Sequence, residues 1–203
     1  MTTAAQRQEM GLAIVKEFEG RYKNGKLQVY MLPAGDGGGA FEVAGINDRY
    51  HATKANILRE LIEAGAHDKA EEEAAAYIVE YTRPVLKFFP VSNSAEQNPA
   101  IEFVLRDCAF NRGAKGAATI LQIALGMNDI DGVVGPATRA EFAKQLNELG
   151  SQAVLANVTK ARESYERTSY GWKTSARDEK SKFWKGLSNR WAKAHAIAME
   201  RFV

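Results

Sequence analysis

The stretch that decides the fold is "IVKEFEGRYKNG", residues 14–25, in which a helical run ends in a carboxylate. Glu19 closes that run and is followed directly by Gly20 and a polar, glycine-rich continuation. Apolar residues recur on one helical face ahead of it: Met10, Ile14 and Phe18. This spacing predicts an amphipathic helix from about residue 4 to residue 19, closed by the glycine.

Glu19 is a candidate general acid because of where it stands on this helix. The C-terminal end of a helix carries partial negative charge, which disfavours a second negative charge on a carboxyl group there. On the helical wheel Glu19 flanks the apolar stripe, whereas Lys16 points away from it. A solvated residue at a helix end is the simpler interpretation. The glycines that follow favour a cleft, because they let backbone approach a ligand closely.

Residues 20–50 are rich in glycine and hold two short apolar stretches, "LQVYML" and "FEVAGI". They predict a loop or a small irregular hairpin. Three acids lie here: Asp36, Glu42 and Asp48. Glycosidic cleavage commonly uses one protonated carboxyl group and a second group that positions water or stabilises positive charge. Glu42, between apolar neighbours, is the candidate for that second group, whereas Asp36 is expected to shape a turn.

The remaining chain has a helical pattern, so the predicted fold class is mainly α. Helices are expected after Thr53, across residues 67–84, after the Ser94 and Gln97 capping-box pair, and in three later segments. The last begins near Asp178 and carries an apolar stripe that is better explained as core than as a ligand platform: Phe183, Leu187, Trp191, Ala194 and Ala198. No linker or repeat divides residues 1–203, which predicts a single domain.

Bulk composition excludes several classes of protein. The net charge of +2 and 45% hydrophobic residues indicate neither disorder nor a strongly basic nucleic-acid binder. Residues 151–203 nevertheless hold eleven Lys and Arg against five Asp and Glu, so this quarter either favours an anionic partner or is a solvated helical surface. The single cysteine, Cys108, is expected in the core, and the three histidines lack metal-ligand spacing.

Two of these segments together resemble a family of phage and bacterial muramidases. "FEGRYKNG" followed by "GDGGGAFEVAGINDRYH" is similar to a helix ending in Glu-Gly-Gly-Tyr and the glycine-rich loop after it. Arg21 and Gly37 replace a Gly and a Pro of that pattern. The resemblance implies an all-helical, lysozyme-like domain in which Glu19 is the catalytic acid. Glu42 falls near a position that often holds Thr in that family, so the resemblance leaves the second catalytic group open. Glu42 stays the candidate for that group, with Tyr22 and Asp48 as candidate substrate-binding residues.

Two further matches follow in order along the chain. "CAFNRG" resembles the Ala-Tyr-Asn-Ala-Gly segment of lytic transglycosylases and goose-type lysozymes, which implies sugar contacts for Phe110 and Asn111. "LQIALG" with "DGVVGPATRAEF" is similar to helical peptidoglycan-binding modules, so residues 111–150 are expected to form such a segment packed into the domain. "DIDGVVG" lacks the ligands of a calcium loop.

The resemblances imply a peptidoglycan glycosidase, an endolysin that cleaves the β-1,4 bond between N-acetylmuramic acid and N-acetylglucosamine. Neither a metal nor a cofactor is expected. A lytic transglycosylase yielding 1,6-anhydro products remains open, as does a non-catalytic cell-wall-binding or virion protein. A nucleic-acid binder using the basic C-terminal helices is the weakest alternative.

The expected partner is peptidoglycan, with weak attraction of the basic C-terminal region to an anionic cell wall or membrane, no nucleic acid, and a monomeric state. The N-terminus has no basic segment followed by an apolar one, so no signal peptide is expected. The chain would be made in the host cytoplasm and reach periplasmic peptidoglycan after release by a holin or another membrane opening.

Overall fold

The computed structural model describes residues 2–33, 39–168 and 183–203, and its architecture is mainly α, as predicted. The chain comprises two compact units. The small unit is Ala4–Tyr81, and the large unit is Thr82–Val203 together with the first three residues. That residues 1–203 act as a single catalytic domain stays a prediction.

Three helices build the small unit. Helix α1, Ala4–Ile14, continues into a π-helical turn, Val15–Glu19, so the predicted helix does end at Glu19. Helices α2, Ala52–Glu63, and α3, His67–Tyr81, follow the strands. Helix α1 packs tightly on α3, because a Cβ added at Gly11 would lie 2.5 Å from the carbonyl oxygen of Ala75.

Among the described residues of the small unit, five short strands form two small antiparallel sheets. Strands β1, Tyr22–Lys23, and β2, Lys26–Leu27, make a hairpin, while β3, Tyr30–Met31, β4, Phe41–Val43, and β5, Ile46–Asn47, make a second sheet in that order. Both two-residue turns have positive φ at each central position, the arrangement of type I′ hairpin turns: Asn24, Gly25, Ala44 and Gly45. Of the two expectations, a loop or a small irregular hairpin, the structure has hairpins, and their two-residue turns are regular. Asp36, expected to shape a turn, lies outside the described residues.

The large unit contains four α-helices among the described residues. Three short 3-10 turns, Arg83–Phe88, Val91–Asn93 and Ala95–Gln97, precede them. The helices are α4, Pro99–Ala124, α5, Pro136–Leu149, α6, Ser151–Arg167, and α7, Trp184–Arg201. The Ser94 and Gln97 capping box is present, but it closes the last 3-10 turn, and α4 begins only at Pro99.

Helix α4 is the centre of the large unit. Its first half is buried on every side, and Cys108 lies in this core as predicted. The helix kinks at Gly113, whose backbone angles (φ 72°, ψ 167°) are not helical. On α7 the predicted stripe is partly confirmed, because Trp191 is buried but Phe183 is exposed. No helix within the described ranges is both long and apolar enough to cross a membrane.

Candidate active site

A π-helical turn positions Glu19. The amide of Gly20 donates a hydrogen bond to the carbonyl of Val15, five residues back, at 2.7 Å. Because one such turn places an extra residue in the helix, it shifts the side chains at its end, and π turns recur at functional sites. Glu19 is half-buried at that end, where the helix passes into extended backbone at Gly20. A helical pattern in the sequence could not reveal the extra residue.

Gly20 leaves no space for a side chain. A Cβ at this position would lie 2.4 Å from the Tyr22 ring and 2.8 Å from the carbonyl oxygen of Val15. Its backbone angles (φ −71°, ψ 138°) suit any residue, so the requirement for glycine is one of space. The ring of Tyr22 therefore packs directly against the residue that follows Glu19.

Tyr22 is held in place by a partner that the sequence did not indicate. Its hydroxyl donates to Oε2 of Glu71 on α3 at 2.7 Å, and Lys16 Nζ lies 2.9 Å from the other oxygen of the same carboxylate. Burial, followed by the hydrogen bond and negative charge of Glu71, raises the pKa of Tyr22 far above its usual value. Tyr22 is thus a fixed, protonated phenol. A contact between Tyr22 and sugars stays a prediction.

Glu42 lies at the middle of β4, on the face of the sheet opposite two buried neighbours, Phe41 and Val43. The strand pairings place Tyr30 and Asn47 directly across from it on either side. Residues directly opposite one another point to the same face, with Cβ atoms about 4.5–5.5 Å apart. Tyr30 and Asn47 therefore flank the half-buried carboxylate of Glu42, a juxtaposition that depends on strand register and could not be read from the sequence.

Asp48 anchors the loop that enters β4. Its Oδ1 accepts hydrogen bonds from the amides of Ala40 at 2.8 Å and Phe41 at 3.2 Å. Gly39, with φ 107°, lies so close that an added Cβ would overlap this carboxylate. These contacts give Asp48 a structural role, and its predicted role in binding substrate remains a prediction.

Phe110 and Asn111 belong to the large unit, whereas Glu19, Tyr22, Glu42 and Asp48 all belong to the small unit. Both residues are half-buried in the last turn of α4 before the kink at Gly113. Their neighbour Arg112 donates to Glu166 at 2.6 Å, which fixes this turn against α6. The helix resumes after the kink, and sugar contacts for Phe110 and Asn111 stay a prediction.

The "LQIALG" and "DGVVG" segments are joined by the amide group of Gln122. It donates to Oδ1 of Asp131 at 2.8 Å and accepts from the amide of Gly132 at 2.8 Å. The pKa of Asp131 is lowered by the hydrogen bond from Gln122 and by that from the amide of Val133. These contacts fold a loop back onto α4. Within the described ranges, no group of three or more His, Cys, Asp or Glu residues could hold a metal ion.

Two comparisons with known proteins were negative. No protein-family model matches the chain, and no match was found among curated proteins. The functional conclusion therefore depends on the site geometry and on the sequence motifs described above.

Proposed function

We propose that this chain is a peptidoglycan glycosidase of the lysozyme type, with Glu19 as the general acid. The observation that carries the proposal is the junction at the end of α1. The π turn ends at Glu19, which is half-buried there. The next residue, Gly20, has no side chain, which leaves room for the ring of Tyr22. The resemblance of "FEGRYKNG" to the muramidase motif places the catalytic acid at the same residue.

The proposed reaction uses carboxyl and phenol side chains of this protein. Glu19 protonates the glycosidic oxygen between N-acetylmuramic acid and N-acetylglucosamine, and the departing sugar leaves positive charge at the anomeric carbon. Glu42, on the same unit, stabilises that charge or orients the attacking water. Tyr22, also on the small unit, orients the sugars. General acid catalysis of this kind contributes about 10²–10⁴-fold to the rate.

The experiment is turnover of purified peptidoglycan by Glu19→Gln, which keeps the shape of the side chain but removes its proton. We expect at least a hundredfold loss with little change in thermal unfolding temperature. Glu9→Gln, an exposed residue on the same helix, is the matched control and should retain full activity. Turnover by Glu19→Gln at the wild-type rate would remove Glu19 from the mechanism. A wild-type protein without any turnover would leave the non-catalytic cell-wall-binding alternative.

The digestion products distinguish hydrolysis from lytic transglycosylation, which the "CAFNRG" resemblance favours. A hydrolase leaves reducing muramic acid ends, whereas a transglycosylase lets the 6-hydroxyl of muramic acid attack and gives an anhydro product one water lighter. We favour hydrolysis because Glu42 supplies a second carboxylate on the small unit. Mass spectra dominated by anhydro-muropeptides would reverse this choice and leave Glu19 as the acid.

A further inference from the structure

The small unit carries a pocket of aromatic residues that the proposed reaction does not use. It has a volume of about 350 Å³ and lies at the start of α2, where one side of α3 faces it. Its lining is Tyr50, His51, Ala52, Thr53, Lys54, Ile57 and Tyr77. Tyr50 is 68% exposed and Ile57 is 41% exposed, so large apolar surface is open to solvent here.

Hydrogen bonds and ring contacts hold the residues that form one wall of this aromatic pocket. Nδ1 of His51 shares a hydrogen bond of 2.8 Å with the hydroxyl of Tyr77. The His51 ring also packs edge-on against Tyr77 and Tyr81, with centroid distances of 5.6 Å and 5.3 Å. Asn47 accepts the amide hydrogen of Tyr50 at 3.0 Å, which fixes the backbone of the pocket's most exposed ring. Such pre-organisation lowers the entropy cost of binding.

The charges around the aromatic pocket argue against a charged ligand. Lys54 lies over the Tyr77 ring at 5.9 Å, and Arg49 lies over the Tyr50 ring at 5.4 Å, so cations of the protein already occupy positions that a cationic ligand would take. Lys54 is in turn paired with Glu73 at 2.9 Å, which offsets its attraction for an anion. Apart from these cations, the pocket is lined by aromatic rings and neutral polar groups. Such a lining suits an uncharged ligand that has both apolar and hydroxyl surfaces.

We propose that the aromatic pocket binds a pyranose ring of a neutral saccharide, as a second sugar site separate from the residues assigned to catalysis. A pyranose has an apolar face of C–H groups, which would stack on the side of the exposed Tyr50 ring that Arg49 does not cover. Its rim of hydroxyl groups would meet Thr53, His51 and the hydroxyl of Tyr50. The proposal depends on the proposed function only for the source of the saccharide, a glycan strand. Asn47 links the two sites, because it lies directly across from Glu42 in the sheet and its side chain accepts the hydrogen bond from the Tyr50 amide. One glycan strand is therefore a reasonable source for both sugars.

The test is a titration of the full chain with chitotetraose, the tetramer of N-acetylglucosamine, in a Glu19→Gln background that prevents cleavage. Amide NMR shifts of residues 50–57 report the aromatic pocket separately from the residues around Glu19. We expect Tyr50→Ala to weaken binding at residues 50–57 at least tenfold, about 1.4 kcal/mol. Tyr50→Phe keeps the ring and should retain most of the affinity. Phe183→Ala, an exposed aromatic residue of the large unit, is the control and should bind like the parent.

Unchanged affinity in Tyr50→Ala, or shifts that avoid residues 50–57, would overturn the proposal. So would tighter binding of inorganic phosphate, adenosine monophosphate or tetramethylammonium to the same residues. Failure here is distinguishable from failure of the proposed function. Loss of the sugar site leaves the turnover difference between wild type and Glu19→Gln intact. An active Glu19→Gln variant would refute the catalytic role while chitotetraose still bound at Tyr50.

Discussion

The two units treat their polar residues in opposite ways. In the large unit, two carboxylates are enclosed together with guanidinium groups: Asp107 lies 2.7 Å from Arg162 and 2.6 Å from Arg190, and Glu102 contacts Arg106 at 2.8 Å. In the small unit, Glu19 and Glu42 are half-buried. Buried, paired charges serve structure, whereas half-buried carboxylates on short, well-fixed elements can meet a ligand. The comparison predicts that the enclosed pairs stabilise the large unit, and that the half-buried carboxylates of the small unit are the ones to test for the proposed reaction.

The largest effect should come from Asp107→Asn, which leaves two buried guanidinium groups without their carboxylate. Breaking a buried pair in this way costs about 3–5 kcal/mol. Urea unfolding followed by tryptophan fluorescence measures it, because all three tryptophans lie beyond residue 82 and report the large unit. Asp129→Asn, at an exposed position, is the control and should change the free energy of unfolding by less than about 0.5 kcal/mol. Equal stability of the two variants would contradict that prediction.

The same pair predicts a dependence of stability on pH. Burial acts to raise the pKa of Asp107, but Arg190 and Arg162 together hold it below its ordinary value. A carboxyl group with a depressed pKa in the folded state stabilises the protein above its unfolded pKa, about 3.9, and loses that contribution as pH falls toward the folded value. The difference in unfolding free energy between wild type and Asp107→Asn should therefore shrink below about pH 4.

Gly20→Ala should have an intermediate effect, centred on the small unit. The added methyl group meets the Tyr22 ring and the Val15 carbonyl, and overpacking of this kind costs about 1–3 kcal/mol. Displacement of Glu19 by even 1 Å can reduce turnover about a hundredfold. Gly186→Ala on α7 makes the same change where no atom lies within 4 Å, so it should stabilise by about 0.5–1 kcal/mol without altering turnover. Parallel assays of peptidoglycan turnover and thermal unfolding compare them.

The sequence predicted those features that depend on local pattern. The end of the first helix at Glu19, the mainly α fold and the buried Cys108 follow from periodicity, glycine position and composition. What it could not predict depends on residues far apart in the chain. Glu71 meets Tyr22 across 49 positions, and Arg190 meets Asp107 across 83.

Strand register and backbone geometry explain the other features that the sequence did not predict. Tyr30 and Asn47 flank Glu42 only because the strands pair as they do, and a shift of one residue would send them to the opposite face. The π turn ends in a hydrogen bond from the amide of Gly20 to the carbonyl of Val15, and the apolar periodicity of the sequence did not predict this geometry. Thr53, expected to cap α2, lies inside the helix, and His51 precedes its first residue. Local features such as the helix end at Glu19 were thus easier to predict than the distant groups that contact the candidate residues.

The smallest effect concerns the basic C-terminal quarter, whose excess of six positive charges suggested adsorption to an anionic surface. Two of these positive charges are not available at the surface, because Arg162 and Arg190 are nearly buried and pair with Asp107. Lys185 and Lys193 are exposed on α7, so their positive charges lie at the surface. Attraction through exposed charges reaches only about 10 Å at 0.1 M salt.

The double variant Lys185→Gln and Lys193→Gln should therefore weaken binding to whole sacculi by only a few-fold at low salt, with no difference from wild type at high salt. Each exposed charge contributes at most about 1 kcal/mol. Lys87→Gln, an exposed lysine outside this quarter, tests whether position or total charge matters. Pull-down of sacculi across a salt series measures all three proteins. A loss equal in Lys87→Gln would mean that net charge alone drives adsorption, whereas an unaltered salt dependence in the double variant would show that these lysines only solvate the helix.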